Sequence, residues 1–251
     1  MVRIVGRLGL VLAVLSAALG SPASAERSLN VVSLTQWPPY SATELPNGGF
    51  GNDVATTALE RAGYDVRLEL VPWSRAMAMV RHGDADVLVN VWRTEARADV
   101  MAFTEPIARN ELVFVHREAT ALTYTGLDSL AGMDVGILRD YDYKDAFMRE
   151  PDINRLPART LLTNLRNLKN KRLDAVLADR MIARYVIANM LPEASDRFAV
   201  TDKALSAKRL HAAVSRAVDG TATIVARFNA ALAAMRDDGS YARIKVRHGL
   251  D

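Results

Sequence analysis

The chain has 251 residues, half of them hydrophobic and 24% charged, enough for one large domain or two lobes of roughly 100 residues each. It carries 32 basic and 29 acidic residues, 4 histidines and no cysteine, for a net charge of +3. The missing cysteine excludes disulfides, a lipidated N-terminus and thiolate metal sites, and a charge balance this close to even gives no ground for a nucleic-acid partner.

Residues 1–25 read as a secretory signal. Arg3 and Arg7 form the basic start, Leu8 to Leu19 the apolar core, and Ala23-Ser24-Ala25 an A-x-A site with cleavage expected after Ala25. The apolar run is too short for a lasting membrane span. Removing Arg3 and Arg7 leaves 30 basic against 29 acidic residues, a mature charge of +1. Export without an anchor predicts a periplasmic protein.

Leu29 to Leu34 has the apolar character of a first strand. It runs into Thr35-Gln36-Trp37-Pro38-Pro39-Tyr40, an aromatic loop whose prolines cannot continue a central strand. Asn47-Gly48-Gly49 is turn chemistry. A helix is expected from Asn52, with Val54, Ala58, Leu59 and Ala62 facing the core and Gly63 ending it. Val66, Leu68 and Leu70 alternate as a second strand. Pro72 opens another helix through Ala76, Met77 and Val80, which Gly83 ends. Val87 to Val91 is short and apolar enough for a buried third strand. It ends among Asn90, Trp92 and Thr94, where an open parallel sheet presents its ligand crevice. Thr94 can cap a short helix with Arg97 one turn inside. An arginine there can place two parallel N–H donors on a carboxylate, or can simply be a surface residue.

Glu111 to His116 reads as a long strand leaving this unit, and a second α/β series follows. Asp134 to Leu138 is a strand and Tyr141 to Arg149 a helix. Thr163 is expected to cap a helix to Lys171. Leu173 to Ala178 is a strand ending at Asp179, Met181 to Met190 a helix stopped by Pro192, and Leu210 to Val214 a strand. Ile224, Val225, Phe228, Ala231, Leu232 and Met235 form a helical stripe closed by Asp238-Gly239, and Ser240 to Val246 is a last helix. Strand–helix alternation predicts an α/β protein with parallel sheets. Two such series without a flexible linker predict two lobes sharing short strand crossings, with a small-molecule cleft between them.

The Trp37-Pro38-Pro39-Tyr40 loop, Gly83-Asp84-Ala85-Asp86, Thr94-Glu95-Ala96-Arg97 with Phe103-Thr104-Glu105-Pro106, Leu130 to Gly136, Leu173 to Asp179 and Asp238-Gly239-Ser240-Tyr241 occur in a joint order and spacing. In these the chain resembles the family 3 periplasmic solute-binding proteins, the polar amino-acid receptors of ABC importers. The resemblance implies the type II bilobal periplasmic-binding-protein fold, with residues 1–25 as signal peptide, 26–115 plus 211–251 as one lobe, and 116–210 as the other. It also implies a small polar, amino-acid-like solute, an ABC permease as membrane partner, a monomer, and neither cofactor nor metal. By the same carry-over Arg97 would hold the ligand carboxylate and Asp179 its ammonium. Trp37 and Trp73 would lie against the ligand, and Asn90, Trp92 and Thr94 would line the crevice.

The sequence departs from that family at two places. Trp92 stands where a small residue is common. The second-lobe turn, usually Gly and Thr, is Arg139-Asp140-Tyr141-Asp142-Tyr143, which puts an ordinary amino-acid carboxylate contact there in doubt. Arg139 and Tyr141 are candidate contacts to a cationic, aromatic or non-amino-acid ligand. Asp179 can cap the helix that follows it, bind ligand, or do both. Trp37 and Trp73 can be cleft-lining or structural. His82, His116, His211 and His248 lack metal-ligand spacing, and no nucleophile elbow, P-loop or dinucleotide fingerprint is present. An alternative on the same fold is an enzyme similar to cyclohexadienyl dehydratases, with Glu105, Glu111 or Asp140 as its acid. A third reading is a periplasmic sensor of a small solute.

Overall fold

The computed structural model describes residues 27–120, 122–139, 141, 143 and 145–250. The expected signal segment, and Asp140 and Asp142 of the second-lobe turn, lie outside the described residues. Among the described residues no helix is long and apolar enough to cross a membrane.

The first half runs β1 (Arg27–Leu34), a two-stranded hairpin β2 (Gln36–Trp37) and β3 (Ser41–Ala42), α1 (Phe50–Arg61), β4 (Tyr64–Val71), α2 (Trp73–His82), β5 (Val87–Trp92) and the short α3 (Glu95–Ala98). The helices end where their glycines were expected to end them. Gly63 and Gly83 follow α1 and α2 at φ of 85° and 83°, a region that costs a residue with a Cβ. A long strand, β6 (Met101–Arg117), leads into β7 (Asp134–Leu138), α4 (Asp145–Arg149), β8 (Asn154–Ala158), α5 (Leu161–Lys169), β9 (Ala175–Asp179), α6 (Arg180–Met190) and β10 (Phe198–Val200). The chain returns along β11 (Ser206–Ser215) and closes with α7 (Thr221–Asp237) and α8 (Ser240–Arg247).

Among the described residues nine strands form one sheet in the order β4-β1-β5-β11-β6-β9-β7-β8, with β10 beside β6. The triples β4-β1-β5 and β9-β7-β8 are each parallel internally, as the two α/β series predicted. The 17 residues of β6 serve both: Met101 to Leu112 pair with β11, Leu112 to His116 with β9. Successive residues of the sheet face opposite layers. Val31, Val87 and Val89 pack with Phe50, Val54 and Phe228 on one side, while Val32, Leu88 and Val91 pack with Ala76, Val80 and Met101 on the other. Phe114 and Val115 divide in the same way between the two layers of the second half. Each such fully buried Val, Leu, Phe or Met side chain contributes about 1.5–3 kcal/mol through removal of apolar surface from water.

The buried members of the two clusters of the first half all fall within residues 29–108 and 210–250, and those of the two clusters of the second half within 112–191. Two cores therefore part near residues 109–111, where the crossing strands pass between them. The lobe limits expected from sequence lie at 115/116 and 210/211.

Three local expectations are corrected, and the strands β8 and β10 were not expected. The strand expected from Glu111 begins at Met101 and contains Pro106, which has no N–H to give the ladder. The pairing shifts register between Leu210 and His211, opposite Pro106, which is where a sheet tolerates proline. The helix expected from Tyr141 begins at Asp145, with Tyr141 and Tyr143 outside it. The α5 cap is Thr160, whose hydroxyl accepts from the Thr163 amide, rather than Thr163 itself. Finally β8 went unforeseen: Asn154-Arg155-Leu156-Pro157-Ala158 has no clean alternation, and its proline fits only because the strand is at the sheet edge.

Candidate functional site

The registers bring the C-terminal ends of both parallel triples to one place. Trp92, ending β5, is level with Leu210 of β11 and so with Ala108 of β6. Asp179, ending β9, is level with Leu112 of β6. β5 runs with β6 and β9 runs against it, so the two sets of strand ends face each other across residues 109–111. Ends of parallel strands are where an open α/β sheet binds ligands.

On the first half this edge holds a cavity of about 370 Å³ lined by Leu34, Gln36, Trp37, Trp73, Asn90, Trp92 and Arg97. Its volume suits a small molecule. The chain has three tryptophans, and all three line it. Trp37 and Trp92 meet edge to face, centroids 5.6 Å apart at 85°, and Trp37 lies 5.0 Å from Tyr40. Trp73, at the start of α2, is 36% exposed, so it belongs to the cleft wall rather than to the core.

Arg97 is positioned locally. Thr94 is the N-cap of α3, its hydroxyl accepting from the Arg97 amide at 3.3 Å. The Arg97 Nη1 donates to the Trp92 carbonyl at 2.9 Å, and its Cζ sits 4.6 Å from the centroid of Trp73. Burial pulls its pKa below the ordinary arginine value. It has no carboxylate partner among the described residues, so most of its N–H donors are uncommitted. Lys208 of β11 lies 4.4 Å over the Trp92 ring.

Asn90 anchors the wall from behind. It is buried within β5 at φ 62°, a left-handed conformation that Asn tolerates better than most residues. Its Nδ2 is within reach of Ser33 Oγ, Asn52 Oδ1 and the Tyr40 carbonyl, at 3.1, 3.0 and 3.3 Å. This ties β1, α1 and the aromatic loop to β5. Gly51 leaves the room: a Cβ there would stand 1.8 Å from Asn90 Oδ1.

The carboxylate that the resemblance assigns to a ligand ammonium has protein partners. Asp179 caps α6 by accepting from the Ile182 amide at 2.9 Å. Tyr40 Oη donates to its two oxygens at 3.1 and 3.2 Å, and Asn110 Nδ2 donates at 2.6 Å. Asp179 is nearly fully buried, and this desolvation pushes its pKa up to about 6 despite the donors around it. Burial likewise raises the Tyr40 phenol well above its usual value, with the Asp179 charge adding to the effect. This contact spans the two halves and was not anticipated from sequence. Tyr40 was visible there only as the end of an aromatic loop.

Arg139 and Tyr141 do not line the cavity. Arg139 is exposed just beyond β7, while the Tyr141 ring lies 5.0 Å from that of Tyr143, tilted by 39°, and packs on the core of the second half. Of the acids weighed for a dehydratase step, Glu105 lines a separate groove, and Glu111 pairs with Arg180 at 3.1 Å. Asp140 is outside the described residues. Among the described residues no group of three His, Asp or Glu could hold a metal.

The profile of the bacterial extracellular solute-binding proteins, family 3, matches residues 29–251. No curated protein sequence matches the chain. The fold is similar to that of the L-cystine solute receptor of Neisseria gonorrhoeae in its unliganded open conformation, with TM-score 0.75 and 18% identity over 90% of this chain and 94% of that one. It is also similar to substrate-binding domain 2 of Lactococcus lactis GlnP in open conformation, with TM-score 0.73 and 19% identity over 90% and 96% of the two chains. A histidine kinase sensor domain resembling periplasmic binding proteins matches with TM-score 0.59 and 24% identity over 88% and 96%. These relatives have the bilobal type II fold.

Proposed function

The chain belongs to the bacterial extracellular solute-binding proteins of family 3, and from that premise we propose that it is the periplasmic substrate-binding component of an ABC importer. It leaves the cytoplasm on the segment ending at Ala25, captures a small polar solute in the cleft, and presents it to a membrane permease. Arg97 holds the solute carboxylate, while Trp37, Trp73 and Trp92 form the apolar wall with Asn90 and Thr94 fixing their frame.

The observation that carries this reading is Arg97: a partly buried guanidinium without a carboxylate partner among the described residues, at the wall of a small cavity between facing strand ends. A charge taken from water calls for a counter-charge, and a bound carboxylate supplies one with two parallel hydrogen bonds. Among the described residues the seven that line the cavity all belong to the first half. Residues of the second half then complete the site only on closure, and that difference in contacts is what lets a ligand shift an open–closed equilibrium.

The test is binding of small carboxylates by the protein and by Arg97→Ala. The expected result is saturable binding to the parent, with compaction measurable by small-angle scattering, and loss of both in the variant at unchanged melting temperature. Equal affinity in the two proteins rules the reading out.

A further inference from the structure

We propose that the protein has a second binding site, apart from the cleft, for a small dianionic oxyanion such as hydrogen phosphate or a dicarboxylate. It lies in the groove along β6 that β11, α7 and α8 help to line. The groove has a volume of about 430 Å³, and three arginines line it: Arg109, Arg209 and Arg236. Arginine is the side chain whose planar fork matches phosphate and carboxylate oxygens with paired N–H donors. Register is what gathers the first two. Arg209 of β11 pairs directly with Arg109 of β6, so both side chains leave the same face of the ladder. Lys208 and Asn110, the next pair along, point to the other face, where they meet Trp92 and Asp179. The arginine pair therefore leaves the strands on the side away from those two contacts.

Like charges directly opposite on a ladder repel each other, and little in the fold offsets this pair. Arg209 has no ion-pair partner among the described residues. Arg109 Nε comes only to 4.0 Å from Glu111 Oε1, and the other oxygen of that carboxylate accepts from Arg180 at 3.1 Å. Arg236 donates through Nη2 to the Pro106 carbonyl, and its Cζ lies 5.6 Å from the Tyr241 ring centroid. Those contacts hold its guanidinium at the groove without neutralising it. The one carboxylate lining the groove is that of Glu105, whose amide is fixed by the Asn229 side chain. Three guanidiniums against one carboxylate leave an excess of two positive charges, which a dianion cancels and a monoanion does not. Arg109 and Arg209 are exposed, so the site is open to solvent and its affinity falls as ionic strength rises.

The experiment is run with the cleft disabled, so that the groove is read alone. Inorganic phosphate, succinate and acetate are titrated by calorimetry into Arg97→Ala, and into the same variant carrying Arg209→Ala as well, at a constant ionic strength of about 20 mM. The expected result is one dianion bound per chain, roughly tenfold or more tighter than acetate, and weakened about tenfold by Arg209→Ala. Without anion the double variant melts no lower than the single one, because the guanidinium it loses makes no ion pair in the fold. Whichever of phosphate and succinate binds more tightly names the source of the dianion. Equal binding to the two variants overturns the proposal, as does acetate binding as tightly as the dianions, which is diffuse attraction to charge. It also falls if neither dianion binds saturably below about 10 mM. If a glutamate-rich peptide binds through Arg209 where both dianions fail, the groove is a protein contact and the proposal is wrong. None of these outcomes bears on the cleft, whose own test compares the parent with Arg97→Ala.

Discussion

Replacing Asp179 by asparagine tests whether the carboxylate at the junction of the two halves is an internal group or a ligand partner. In the folded chain its pKa is pushed from an ordinary 3.8 up to about 6 by burial. A raised folded-state pKa means that the native state binds the proton more tightly than the unfolded chain. The stabilisation is present in full below pH ~4 and is lost as pH rises through ~6. The difference between the two pKa values corresponds to roughly 3 kcal/mol held against the ionised form at pH 7. An asparagine at this position would keep the cap on Ile182 and accept from Tyr40, and it carries no charge to desolvate. Its NH2 then faces Asn110 Nδ2, so the Asn110 amide must turn its oxygen toward it, a loss of about 1 kcal/mol. Asp179→Asn is therefore expected to be roughly 1–2 kcal/mol more stable than the parent at pH 7, and no more stable, or slightly less, at pH 4. For a chain of this size that is a rise of about 2–8 °C in melting temperature at pH 7. Calorimetric melts of both proteins at several pH values from 4 to 8 measure it. A melting difference that does not change with pH across that range refutes the reasoning, because it would mean that the Asp179 carboxylate is not desolvated in the fold.

Tyr40→Phe removes the phenol that donates to Asp179, and is expected to cost roughly 1–2 kcal/mol at pH 7 and less at pH 4, where the carboxyl is neutral; the same melts check it. Gly51→Ala places a Cβ 1.8 Å from Asn90 Oδ1, so urea unfolding should show a loss of roughly 1–3 kcal/mol. Thr94→Ala removes the cap of the four-residue α3, and is expected to weaken solute binding several-fold by loosening Arg97, with almost no change in melting temperature. Arg97→Lys keeps the charge but not the planar fork, so affinity should fall about tenfold by titration.

Much of the architecture was legible because its causes are local. Val31 and Val32, or Leu88 and Val89, declare a strand buried on both faces by composition alone. Gly63 and Gly83 end helices through a backbone conformation that their own φ angles require. Thr94 and Arg97 are three residues apart, so the cap that aims Arg97 into the cleft could be read from the chain. The failures were also physical. Pro106 disguised a long strand because the bulge that tolerates it is set by the returning chain, and Pro157 disguised an edge strand for a similar reason.

What the sequence determined was the order of strands and helices, the presence of an α/β protein in two series, and the arginine and tryptophans available to a small ligand. Side-chain period and helix capping act over at most four residues, and both survive without knowledge of the fold. What only tertiary structure decided was which groups share a site. That all three tryptophans converge on one cavity follows from the pairing of β1 with β5 and the docking of α2. That Asp179 is engaged by Tyr40, 139 residues away, and by Asn110, 69 residues away, follows from the register of β6 against β9. A buried carboxylate takes whichever donors the packed chain brings within about 3 Å, and that depends on strand register, which no local pattern encodes.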